Sequence, residues 1–146
     1  MDKLYDDLIM DHIKNARNFR ALDGADRHAR GTNPLCGDDV AVYLRFDGDV
    51  IKDITFQCTC CGISMASASI LSEHLKGLST ADAKAAIPAF VSLLNANGAV
   101  GDDLDAARRA IVATVREFPA RARCAVLPWL TLEAALNDQR ELVYKR

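Results

Sequence analysis

Cys36 and Asp38 stand two residues apart in the segment Asn33-Pro34-Leu35-Cys36-Gly37-Asp38, a thiol and a carboxylate held in a turn. Deprotonated sulfur and carboxylate oxygen are both competent ligands for a borderline-soft ion such as zinc. Pro34 biases Asn33 away from helical geometry, and Gly37 supplies the backbone freedom that lets the two side chains converge. Two further cysteine regions, Cys58 to Cys61 and Cys124, can complete a site. Five cysteines are an odd number, and clustered thiols in a reducing compartment point to metal or sulfur chemistry rather than to a disulfide framework.

The elements that must position these groups follow from periodicity. Leu4, Tyr5, Leu8, Ile9, His12 and Ile13 share one face of a helix expected over residues 3 to 17, with Asp2 as its N-cap. Residues 18 to 35 are rich in Gly, Asp, Arg and Asn and read as an irregular segment. Val40, Val42, Leu44 and Phe46 alternate with Ala41, Tyr43 and Arg45; Asp47-Gly48 turns the chain, and residues 50 to 56 alternate back as a hairpin strand. After Cys61-Gly62 the period becomes helical, with Ile63, Ala66, Ile70, Leu71 and Leu75 recurring and a serine face of Ser64, Ser67, Ser69 and Ser72 suited to close packing. Gly77 ends this helix. Thr80 or Asp82 caps another that Asn97-Gly98 stops, and Asp102 or Asp103 starts a third that Phe118-Pro119 breaks. A last helix is expected after Pro128, carrying Trp129, Leu132, Leu136 and the charged tail. The order predicts one α+β domain over residues 1–146, with helices packed on a small antiparallel sheet.

Composition excludes several functions. A net charge of -2 without a Lys/Arg cluster argues against a nucleic-acid partner. No apolar run approaches the roughly 20 residues of a membrane span. The start, Met1-Asp2-Lys3-Leu4-Tyr5 followed by Asp6 and Asp7, lacks the basic region and apolar run of a signal peptide, so a cytoplasmic location is expected.

The outer ends of a hairpin are adjacent, so residues 36 and 61 fall at the same end of the sheet. Cys61 opens a helix, where the positive end of the dipole favours its thiolate. Cys124, expected between two helices, lies beside Arg121 and Arg123, which favour thiolate again. One carboxylate and three thiolates make a four-coordinate set.

These segments carry a resemblance. Asn33-Pro34-x-Cys36-Gly37-Asp38, then Cys61-Gly62-Ile63-Ser64-Met65-Ala66-Ser67, then Phe118-Pro119-Ala120-Arg121-x-Arg123-Cys124-Ala125-x-Leu127-Pro128-Trp129 closely resemble the IscU/NifU-N-type iron–sulfur assembly proteins. The N-terminal Leu4-Tyr5, Ile9-Met10-Asp11-His12 and Asn15-x-Arg17-Asn18 match as well. Residues 76 to 102 resemble the insertion of the SufU branch, and Arg123 stands where IscU scaffolds have a histidine. The resemblance implies an IscU-like sandwich and a zinc ion held by Cys36, Asp38, Cys61 and Cys124. It implies a SufS-type cysteine desulfurase as partner and downstream iron–sulfur assembly proteins as recipients. By resemblance Cys36 is the exchangeable ligand, Cys124 the sulfur acceptor, and Arg121 the residue that assists ligand exchange. The rival reading is a scaffold on which a [2Fe-2S] cluster forms at the same ligands. A purely structural zinc domain fits less well, because structural zinc sites favour Cys and His over Asp.

One stretch departs from the family pattern. Where Gly-x-Gly-Cys is usual, this chain has Cys58-Thr59-Cys60-Cys61. Three readings stand open: small residues replacing glycine, a redox or sulfur-relay pair, or entry of Cys58 or Cys60 into the ligand set. His12 reads as a core or docking histidine, His28 and His74 have no metal-compatible neighbours in sequence, and Trp129 reads as core.

Overall fold

A computed structural model describes residues 5–96 and 104–145. The chain runs α1 (Asp7–Lys14), β1 (Arg27–Asn33), β2 (Asp38–Asp47), β3 (Val50–Thr59), α2 (Gly62–Leu75), α3 (Thr80–Asn95), α4 (Ala106–Glu117), a 3-10 turn (Pro119–Arg121), α5 (Ala122–Leu136) and β4 (Glu141–Val143). The sheet order is β3-β2-β1-β4, antiparallel among the first three strands and parallel between β1 and β4. The α+β class expected from the sequence is the one observed.

Strand β1 falls within the segment read as irregular. Its inward positions alternate with outward ones as in any half-buried strand, but they are Ala29, Gly31 and Asn33. Small and polar inward residues leave no hydrophobic alternation to see, because what demands them is a close neighbour rather than a large core. That neighbour is α5: a Cβ built on Gly31 would lie 1.9 Å from Thr131 Oγ1 and 3.3 Å from Leu127 Cδ1.

The helices differ from expectation at their ends. Helix α1 is shorter than residues 3 to 17; its cap is Asp6, whose carboxylate accepts from the Ile9 amide at 2.9 Å, and Asp2 lies outside the described residues. Ser79 caps α3 and Asp105 caps α4; the stop expected at Asn97-Gly98 and the start at Asp102 or Asp103 lie outside the described residues. Helix α5 begins at Ala122 and runs through Pro128, so Cys124 sits in a helical first turn and not between two helices. The tail leaves that helix and adds β4 beside β1.

Helix α2 is the centre of the molecule, buried on nearly every side against α1, α5 and β3. Its serines do more than allow close approach. Ser67 donates to the Ala125 carbonyl at 2.6 Å and receives the Trp129 indole N–H at 3.0 Å. Ser69 pairs with the buried His12 ring at 2.7 Å and accepts from the Arg17 amide at 2.9 Å. Trp129 is core, tilted against Phe90 with ring centroids 4.4 Å apart. Among the described residues no helix is long and apolar enough to cross a membrane.

Candidate metal and thiol site

Residues 34 to 37 form the tip of the β1–β2 hairpin, closed by the Asn33↔Asp38 pair. Asn33 is buried; its side chain accepts from the Leu35 amide at 2.9 Å and its carbonyl accepts from the Gly37 amide at 2.8 Å. Gly37 takes φ +78, the left-handed conformation that glycine adopts without a Cβ penalty. The tip thus holds Cys36 at the exposed rim while Asp38, first residue of β2, points inward and is 4% exposed.

Asp39↔Thr59 is the last pair of the β2–β3 ladder at this end, so Cys61 arrives next to Asp38 as expected. Cys61 is the N-cap of α2. Its amide donates to Asp38 Oδ1 at 3.0 Å, and its sulfur lies 3.8 Å from Asp38 Oδ2. An orphan N–H at a helix start and a carboxylate are natural partners. Cys124 comes from the far side, on α5, and is 1% exposed.

Ser64 ties the three elements together and was not singled out from sequence as a site residue. Pro128 has no N–H, so the Cys124 carbonyl four residues earlier loses its helical donor. Ser64 Oγ lies 2.9 Å from that carbonyl and 2.6 Å from Asp38 Oδ2. The signal was present in the sequence as the Cys124–Pro128 spacing and a serine three residues after Cys61, but only their approach gives it meaning.

Cys36 and Cys124 sulfurs and an Asp38 oxygen lie within 4.8 Å of one another, which small side-chain shifts can close onto one ion. Cys61 is outside that mutual set, yet it touches Asp38 and hydrogen-bonds Cys124. The chemistry of the donors, three sulfurs and one carboxylate at one end of the sheet, fits zinc. Arg121 ends the 3-10 turn and reaches the Cys124 sulfur, a hydrogen bond that raises its own pKa. Arg123 instead bonds back to the Ala120 carbonyl at 3.2 Å.

Proton affinity divides the two adjacent thiols. The hydrogen bond from Cys124 lowers the Cys61 pKa from 9.0 to about 6, with Ser64 pulling the same way against burial. Cys124 goes the other way: the Cys61 negative charge it bonds and its own burial push its pKa up. The pull of Arg121 toward a Cys124 thiolate is therefore outweighed by the Cys61 charge and by burial. Cys61 is the thiolate as expected, but through Cys124 first, not through the helix dipole alone.

Cys58 and Cys60 form a disulfide, with Cα atoms 5.5 Å apart; of the three open readings, entry of either sulfur into the ligand set is thereby set aside. The free cysteines are Cys36, Cys61 and Cys124. His12 stays in the core, and His28 stacks on Tyr43.

Fold and site together define a small α+β protein with a cysteine–carboxylate cluster where hairpin tips and helix starts meet. The chain belongs to the NifU-like N-terminal domain family, whose model matches residues 4–125. It is 35% identical over 142 residues to the zinc-dependent sulfurtransferase SufU of Bacillus subtilis (strain 168), covering 95% of this chain and 93% of that one. It is 31% identical over 135 residues to the iron–sulfur cluster assembly scaffold protein IscU of Thermotoga maritima, covering 92% and 93%. Among solved structures, a candidate assembly scaffold of the SUF system from Fervidobacterium islandicum AW-1 superimposes with a TM-score of 0.81 at 30% identity, covering 91% of this chain and 96% of that one. The N-terminal NifU-like protein of Brucella abortus, at 24% identity and a TM-score of 0.80 over 92% of this chain and 93% of that one, shares the fold.

Proposed function

We propose that this chain is a single SufU-type domain that accepts sulfane sulfur from a SufS-type cysteine desulfurase for iron–sulfur cluster biogenesis in the cytoplasm. The observation that carries the reading is the meeting of Cys36, Asp38 and Cys124 with Cys61 bonded to two of them. Zinc bound by these four residues would hold their thiols deprotonated and add no redox chemistry of its own.

The remaining roles belong to the chain. Cys36, on the exposed hairpin tip, is the ligand that can leave with least disturbance. Cys124 is the acceptor: its thiolate attacks the outer sulfur of the partner's persulfide, an S–S bond forms at Cys124, and the partner's cysteine departs as thiolate. Burial keeps Cys124 from reacting until docking shifts the tip or the Arg121 turn, and the Arg121 guanidinium stands ready to hold the sulfur's charge. Downstream assembly proteins would then receive the sulfur.

Anaerobic purification with zinc and iron analysis, and alanine production by the desulfurase with and without the chain, test this. Stoichiometric zinc and a stimulation lost in Cys36→Ala, Cys61→Ala and Cys124→Ala are expected. Oxygen-labile iron and sulfide with unchanged desulfurase turnover would instead establish the [2Fe-2S] scaffold reading, which the likeness to IscU supports.

A further inference from the structure

The Cys58–Cys60 pair has no part in the site just described, yet it lies beside it. Cys58 is paired with Val40 in the β2–β3 register and packs against the core on the same face of the sheet. Two residues toward the end of each strand bring Asp38 on one side and Cys60 on the other. Cys60 directly precedes Cys61. Cys58 faces the first turns of α2, its sulfur 4.0 Å from Met65 Sδ. Strand β3 is an edge of the sheet, and an open recess of about 390 Å³ lined by Phe19, Asp39, Ala41, Gln57, Cys58 and Thr59 brings solvent to the Cys58 end of the pair. Disulfides in a reducing compartment are mostly transient and catalytic or redox-sensing, which disfavours a merely structural staple between residues already tethered through Thr59 alone.

We infer that Cys58 and Cys60 form a dithiol–disulfide couple that reduces sulfane sulfur carried on the neighbouring site thiols and releases it as sulfide. The inference rests on the sulfur-acceptor reading above. In the reduced chain the Cys60 sulfur, one residue from Cys61, attacks the outer sulfur of a persulfide on the site. The S–S bond of that persulfide breaks, the carrier cysteine returns as thiol, and Cys60 becomes the persulfide. Cys58 then attacks the Cys60 sulfur, forming the observed disulfide and expelling hydrosulfide. One persulfide and two thiols become one thiol, one disulfide and one hydrogen sulfide. The two thiols are oxidised, the sulfane sulfur gains their two electrons, and a dithiol reductant of the thioredoxin class, attacking Cys58 from the edge recess, resets the couple.

The test uses the full chain, zinc-loaded and reduced, then freed of reductant and given one equivalent of cysteine persulfide or of persulfide-loaded desulfurase without oxygen. Sulfide is assayed and cysteines are mapped by mass spectrometry. The wild type should release about one sulfide per chain with a new Cys58–Cys60 bridge, and Cys58→Ser/Cys60→Ser should release about tenfold less while sulfur accumulates on the site cysteines. Cys58→Ser alone should trap a persulfide on Cys60; Cys60→Ser should not. A Cys58→Gly/Cys60→Gly variant guards against a folding defect of the serine forms. Equal sulfide from wild type and double variants, or release without the bridge, overturns the couple while a site adduct still upholds the acceptor reading. No adduct and no sulfide from any form overturns both, and sulfide and bridge with no site adduct at any time also overturns both, because the sulfur then reaches Cys60 without a site carrier.

Discussion

Asp38 is the residue on which the site turns. Each of its oxygens already accepts one hydrogen bond from α2, at the Cys61 amide and the Ser64 hydroxyl, which aims the remaining lone pairs toward the sulfurs. Groups that orient a ligand typically matter 10- to 100-fold in metal affinity. Ser64→Ala should therefore fold with unchanged helical content and lose about 10–100-fold in zinc affinity by chelator competition; equal affinity would mean that Asp38 is oriented without it. The thiols give a second expectation. In the metal-free chain Cys61 has its pKa lowered to about 6, and because the thiolate is the reactive form its alkylation should rise through that pH and level off above it. Cys124, buried and shifted upward, should stay unmodified over the same range, and in denaturant Cys61 should return to its ordinary 9.0. Peptide mapping after timed iodoacetamide pulses reads all of this.

Three elements act as rigid carriers of the proposed ligands: the β1–β2 hairpin end for Cys36 and Asp38, the α2 start for Cys61, the α5 start for Cys124. Their spacing depends on how closely α5 can approach β1, and Gly31 sets that distance, since Thr131 occupies the place of its missing Cβ. Gly31→Ala must push α5, and Cys124 with it, away from the sheet. A loss of about 1–3 kcal/mol is expected, read as a Tm lowered by several degrees, together with weaker zinc binding. Gly31→Ala/Thr131→Ala should recover part of both, because the clash is chiefly with the hydroxyl; an unshifted Tm in the single variant would dismiss the close-approach argument. Strand β1 was hidden from the sequence for this same reason, as its inward residues are chosen for thinness and not for apolarity.

For the molecule as a whole, zinc bound as proposed, and only by the folded chain, would join three elements distant in sequence and so stabilise the fold. At free zinc 100 to 1,000 times Kd the gain is about 2.7–4.1 kcal/mol. Chelation should then lower Tm by roughly 5–15 °C, restored by zinc and not by magnesium, a hard ion that prefers oxygen ligands. A Tm indifferent to chelator would show that the site is formed by packing alone. Hydrogen bonding supports that packing too: buried Ser64, Ser67, Ser69 and Ser72 each hold a polar group of another segment.

The sequence by itself determined the ligand types, the β2–β3 hairpin that brings residue 36 to residue 61, and the helix that begins at Cys61, because periodicity and turn chemistry act over a few residues. Motif resemblance supplied Cys124. Tertiary structure decided the rest. Proline at 128 reads locally as a helix start, yet α5 passes through it, and the Cys124 carbonyl that the proline leaves without a helical donor lies 2.9 Å from Ser64 Oγ. Which thiol keeps its proton depended on the depth of Cys124 and its contact with Cys61, quantities no spacing encodes. Cys58 and Cys60 were open to three readings in sequence. Their pairing was decided by a strand end that turns both sulfurs to one face, beside a site assembled from the other side of the fold.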